Sequence, residues 1–137
     1  MQAYVPLQPH VRAGLLDVLR QFPWITQAIV FGSVAAGRER PDSDIDIAVG
    51  GSTALSAAQR IALTQALAER TGRPVDLVDL ANVPEPLLGQ VVQHGTRLLG
   101  TDAQFARLIS KHLFDQADFV PYRNRVLTER RKAWIGL

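Results

Sequence analysis

At 137 residues the chain has room for one compact domain and little beyond it, since domains commonly run about 100–150 residues. With 47% hydrophobic and 20% charged residues it can bury a core, which excludes a disordered tail and a disulfide-stapled mini-protein. It contains no cysteine, so disulfides, thiolate zinc sites and thiol nucleophiles are excluded, and a reducing cytoplasm is the expected location.

The start, Met1-Gln2-Ala3-Tyr4-Val5-Pro6, lacks the charged and apolar regions of a secretion signal. No stretch approaches the roughly 18–20 apolar residues of a membrane span, so no membrane association is expected. A formal charge of +2 implies no general polyanion-binding surface. The excess is local: Arg123, Arg125, Arg130, Arg131 and Lys132 face only Glu129 beyond residue 120.

In chain order, residues 9–22 read as an amphipathic helix opened by Pro9, with Val11, Leu15, Val18 or Leu19, and Phe22 at helical spacing until Pro23 stops it. Trp24 to Phe31 is an apolar, β-branched and aromatic run, too short for a buried helix, and is predicted as a core strand closed by Gly32-Ser33. A polar loop follows through Pro41. The strict alternation of Asp44-Ile45-Asp46-Ile47-Ala48-Val49 predicts a second strand, ended by Gly50-Gly51. Ser56 is the expected N-cap of a helix running to Arg70, with Gly72 as its stop. A third strand is predicted over Val75 to Leu80, a helix over 85–94, and a short strand at Arg97-Leu98-Leu99. From Thr101 a helix is expected with Phe105, Leu108, Ile109, His112 and Leu113 on one face until Pro121, then another over Tyr122 to Trp134. The order describes one α/β (α+β) domain over 1–137, with a core about 9–100 and C-terminal helices about 101–137, built on a small mixed sheet.

The chemistry concentrates between Gly32 and Asp46. Asp44 and Asp46 are two apart on the predicted strand, so both carboxylates should share one face while Ile45, Ile47 and Val49 pack on the other. Two such carboxylates repel at neutral pH unless a cation sits between them, and an oxygen-only ligand set suits Mg²⁺ or Mn²⁺. A lone Asp-x-Asp is common on solvated strands and turns. Gly32-Ser33, with ten residues between it and Asp44, sharpens the pattern: glycine admits a phosphate close to the backbone, and serine offers its hydroxyl and N–H. If the first two strands are antiparallel neighbours, Ser33 lies beside Asp44. A helix over 56–71 is long enough to bring the third strand parallel to the second. Asp76 and Asp79, three apart, then face opposite ways and only one can join the site. Asp76 is the expected member, because it lies inside the apolar run where an unpaired carboxylate is costly; Asp79 is read as a surface or capping residue. Asp76 could serve as a general base. The plainer alternative pairs it with Arg73.

Gly32-Ser33, the ten-residue interval, Ser43 before Asp44-Ile45-Asp46, and the later Val75-Asp76-Leu77-Val78-Asp79-Leu80 together resemble the polymerase-β-type nucleotidyltransferase superfamily. Within it the chain resembles the minimal nucleotidyltransferase (MNT) antitoxins of the HEPN/MNT type, to whose C-terminus the stretch Asp118-Phe119-Val120-Pro121 is similar. The resemblance implies ATP as substrate, with Ser33 holding the β- and γ-phosphates, and two Mg²⁺ ions on Asp44 and Asp46. It implies that Asp76 completes the metal site and activates the acceptor hydroxyl, releasing pyrophosphate. It further implies a cytoplasmic adenylyltransferase whose acceptor is a tyrosine of a cognate HEPN ribonuclease toxin, as a hetero-oligomer with that toxin. Two rivals are an antitoxin acting by occlusion, and transfer to a small-molecule hydroxyl, for which the chain has little room.

Arg38 and Arg40, in the loop facing the phosphate pocket, are candidates for clamping the triphosphate, against the usual solvated role. His10, His94 and His112 share no metal-ligand spacing and are read as structural or surface residues, and Trp24 and Trp134 as packing residues. A basic tail is usually a solvated face, but Tyr122 and Trp134 flank this one, and together with the resemblance that slightly favours a docking surface for a protein, with nucleic acid last.

Overall fold

The structure, a computed structural model, describes residues 7–32 and 43–115. Its first helix, α1 (Pro9–Leu19), starts on a proline whose missing N–H costs nothing in the first turn, and buries Val11, Leu15, Val18 and Leu19 along one stripe. It ends three residues earlier than the hydrophobic pattern predicts, because Phe22 and Trp24 pack edge to face, with ring centroids 5.6 Å apart, in the connection to the sheet. Trp24 is thus the packing residue it was expected to be.

Strand β1 (Gln27–Phe31) is buried throughout, Gln27 included, and its apolar run Ala28–Phe31 packs on both faces of the sheet. β2 (Ile45–Gly50) pairs with it antiparallel, in the register Phe31↔Asp46, Val30↔Ile47 and Gln27↔Gly50. The crossover helix α2 (Ala57–Thr71) opens on a capping box: Ser56 Oγ accepts from Gln59 N at 3.1 Å, and Gln59 Oε1 accepts from Ser56 N at 2.9 Å. It closes on Gly72 at φ 69°, a left-handed cap that glycine adopts without strain. β3 (Val75–Asp79) then lies parallel to β2, with Asp46 beside Asp76, as the length of the crossover predicts.

α3 (Leu87–His94) and β4 (Thr96–Leu99) follow, β4 running antiparallel to β1. A last helix, α4, occupies 102–115 of the described residues. The strand order β3-β2-β1-β4 makes the expected mixed sheet.

Strand alternation splits the core in two. Ala28, Val30, Ile45, Ile47 and Val49 pack with α1 and α2 through Leu15, Leu63 and Leu67. Ile29, Phe31 and Ala48 pack on the opposite side with Leu88 and Val91 of α3 and Leu108 of α4. On α4 the buried line is Leu108 and His112, with Phe105 half-buried; Ile109 and Leu113 turn outward, contrary to the single face predicted. Two residues hold that rotation. His112 Nδ1 lies 2.5 Å from Glu85 Oε1 in the stretch before α3, and Lys111 Nζ donates to Val83 O at 3.3 Å. His112 is therefore a buried structural histidine, while His10 and His94 are exposed.

Leu67 is fully buried between α2 and the sheet, whereas Ile61 on the same helix is 57% exposed. Leu67→Ala should cost about 2–5 kcal/mol in urea unfolding, and Ile61→Ala about 0.5 kcal/mol or less.

Candidate active site

The C-terminal end of β1 and the N-terminal ends of β2 and β3 meet at one edge of the sheet. Across these strands Phe31, Asp46 and Asp76 form a row on the α3/α4 face. Phe31 is buried, Asp46 half-buried and Asp76 exposed, so the row grades from core to solvent.

The tightest acidic contact is Asp46 with Asp76, not Asp44 with Asp46. Lateral neighbours in a sheet are about 4.8 Å apart, whereas residues i and i+2 along a strand are separated by about 6.6 Å. Asp44 also sits just before β2, in an exposed position, not on the strand as expected. Its charge still reaches Asp46. The Asp46 carboxyl is raised above the ordinary aspartate value, first by burial, then by the charge of Asp76 and a hydrogen bond with it, then by the charge of Asp44.

Gly32 seals this arrangement. It has φ +75°, and a Cβ placed there would lie 2.3 Å from Asp46 Oδ2. A side chain at this position would therefore displace the carboxylate, so glycine is required both for the backbone turn and for the close approach.

Asp76, not Asp79, lies beside Asp46, but the burial of the two is the reverse of the one expected. Asp79 is the buried one, at 6% exposure, and Asp76 is open to solvent. Asp79 faces the other side of the sheet and is consumed by the backbone: its Oδ2 accepts from Leu55 N at 2.8 Å and its Oδ1 from Ala81 N at 2.9 Å. It caps the loop entering α2 and the turn leaving β3, a capping role but not a surface one. β3 is an edge strand, which is why its apolar pattern does not bury Asp76. Ser33, Arg38, Arg40 and the basic tail with Tyr122 and Trp134 lie outside the described residues.

Among the described residues no group of three acidic or histidine side chains is drawn into a finished cation cage. Like charges do not converge unaided, and Mg²⁺ commonly takes one or two carboxylates with water and phosphate oxygens completing its shell. The donor set fits such an ion: Asp46 and Asp76 side by side, Asp44 near, all oxygen ligands, and a raised Asp46 that a cation would relieve.

Paired carboxylates at strand ends, with only oxygen ligands, are the kind of donor set on which metal-assisted phosphoryl or nucleotidyl transfer is built. The family described as "Polymerase beta, Nucleotidyltransferase" matches residues 14–104, which contain Gly32 and all three aspartates, and the chain belongs to it. The protein adenylyltransferase MntA of Shewanella oneidensis is 38% identical over 109 residues, covering 76% of this chain and 78% of that protein. A chain in the crystal structure of a toxin-antitoxin with AMP-PNP superposes with a TM-score of 0.71 at 32% identity, covering 85% of this chain and 98% of its own length. A chain of the tri-AMPylated Shewanella oneidensis HEPN toxin in complex with MNT antitoxin superposes at 0.66, with 33% identity over 85% of this chain and 96% of its own. Among the described residues no helix is long and apolar enough to cross a membrane.

A raised folded-state pKa means that the folded protein holds the Asp46 proton more tightly than the unfolded chain. That contribution is complete below the unfolded aspartate value and is lost as pH rises through the folded one. At pH 7 in chelator, Asp46→Asn should therefore melt about 2–4 °C above the parent, with the gain shrinking as pH falls through the raised folded value and gone below about pH 4. Adding Mg²⁺ should raise the melting temperature of the parent and not of the variant.

Proposed function

We propose that the chain is a Mg²⁺-dependent protein adenylyltransferase antitoxin that transfers AMP from ATP to a tyrosine hydroxyl of a cognate HEPN ribonuclease toxin. The observation that carries the proposal is the convergence of Asp46 and Asp76, with Asp44 near, against Gly32 at one edge of the sheet. The relative named MntA is a protein adenylyltransferase, and the AMP-PNP and AMPylated-toxin complexes support ATP as donor and a HEPN protein as acceptor.

Asp44, Asp46 and Asp76 would hold the metal, two ions in the fullest form. Bound Mg²⁺ would supply positive charge to the phosphate oxygens and to the leaving pyrophosphate. Gly32 would let the triphosphate come close to the backbone, Ser33 would hold its β- and γ-phosphates, and Arg38 and Arg40 would contact it. Asp76 takes the proton of the incoming hydroxyl. The oxygen so freed bonds to the α-phosphorus while the bond from that phosphorus to the bridging oxygen breaks, and pyrophosphate leaves with the electron pair. The exposure of Asp76 supports this role, since a base on an edge strand can be reached by a hydroxyl that another protein brings.

The test incubates the purified chain and its HEPN partner with α-labelled ATP and Mg²⁺, and locates the label by mass spectrometry. Label on a tyrosine of the partner is expected, and Asp44→Ala or Asp46→Ala should lower the rate about 10²–10³-fold while the fold persists. Undiminished transfer in those variants would overturn the metal assignment. Silencing of the toxin with no transfer would show occlusion instead, and label on a non-protein hydroxyl would show a small-molecule acceptor.

A further inference from the structure

At the other end of the sheet, about 13 Å along β2 from Asp46, the strands enclose a polar residue that the transfer reaction does not use. Gln27 begins β1 opposite Gly50 and is only 8% exposed, yet its side-chain amide makes no hydrogen bond among the described residues. Buried amides are ordinarily satisfied, and one left open is costly.

This amide lines a cavity of about 230 Å³ between the ends of β1 and β2 and helix α4. Leu80 and Leu108, both buried, supply apolar wall, and Gly50, where a Cβ would lie 3.4 Å from Leu80 and 3.7 Å from Gln27 Oε1, keeps the room between them open. Gln104, which also lines it, is already committed: its Oε1 accepts from Thr101 N at 2.8 Å and its Nε2 donates to Thr26 Oγ1 at 3.2 Å. Arg107 lines the cavity from the exposed side of α4 and forms no ion pair among the described residues. The nearby acid, Asp79, has its two oxygens turned to Leu55 N and Ala81 N, and Asp102 is paired with Arg97 at 2.9 Å.

A buried amide offering one donor and one acceptor, an uncommitted guanidinium and apolar wall between them describe a ligand with matching parts. The volume lies below the roughly 300 Å³ at which drug-sized sites begin, which excludes a second nucleotide and limits the occupant to a fragment. We propose that this cavity binds a small organic carboxylate bearing an amide, its carboxylate on Arg107 and its amide on Gln27.

The experiment is a ¹H–¹⁵N NMR titration of the full chain with N-acetylalanine, with the uncharged N-acetylalanine amide as control. Saturating shifts of the Gln27 side-chain NH₂ and of the Gly51 and Ala81 amides are expected, with a dissociation constant of about 1–10 mM for a ligand of this size. Arg107→Gln, an exposed change that leaves packing alone, should weaken binding about tenfold or more, and the uncharged control should bind about as poorly. Gln27→Leu should abolish the shifts and raise the melting temperature of the ligand-free protein, because an open amide is replaced by an apolar group of similar size. Absence of saturable shifts, or shifts that Arg107→Gln leaves unchanged, would overturn the proposal.

Discussion

The lateral alignment of Phe31, Asp46 and Asp76 across three strands is the constraint on which the proposed chemistry depends. It holds two carboxylates side by side at about the spacing of adjacent strands, where their repulsion cannot relax by sliding. A one-residue slip of β2 would turn Asp46 into the α1/α2 core and Ile47 onto the other face. The register is protected because Ile45, Ile47 and Val49 are fully buried against Leu63 and Leu67, so a slip would lose the core together with the site.

Stability and function thus draw on opposite faces of the same strand. Ile45, Ile47 and Val49 are packed by helices that the crossover requires in any case. Asp46 is held against Gly32, and Asp76 is left open by the edge position of β3. Asp46 and Asp76 thus lie side by side at one end of the sheet, the first half-buried and the second exposed.

Much of this was legible in the sequence because it is local. The alternation over 44–49, Ser56, Gly72 and Pro9 each act within a few residues, and the elements they predict are present among the described residues. The parallel pairing of β3 with β2 also followed from the crossover length, while the antiparallel pairing of β1 with β2 stood only as a condition. The positions of Asp44, Asp76 and Asp79 were less legible. An apolar run predicts burial only if both faces and both edges are covered, and β3 is an edge strand, so Asp76 is exposed while Asp79, near the strand end, is the buried one. The outward turn of Ile109 and Leu113 was hidden for a similar reason: helical spacing allows two adjacent stripes, and the contact of His112 with Glu85 selects one.

The sequence by itself determined the fold class, the strand that carries Asp46, and the glycine that closes the first strand, since periodicity and backbone sterics are properties of a few consecutive residues. Only the tertiary structure decided that Asp46 meets Asp76 more closely than Asp44, that Asp79 serves backbone N–H groups, and that Gln27 is buried with its amide open. These depend on which strands lie side by side and which edge is left uncovered, and no single segment of the chain encodes either.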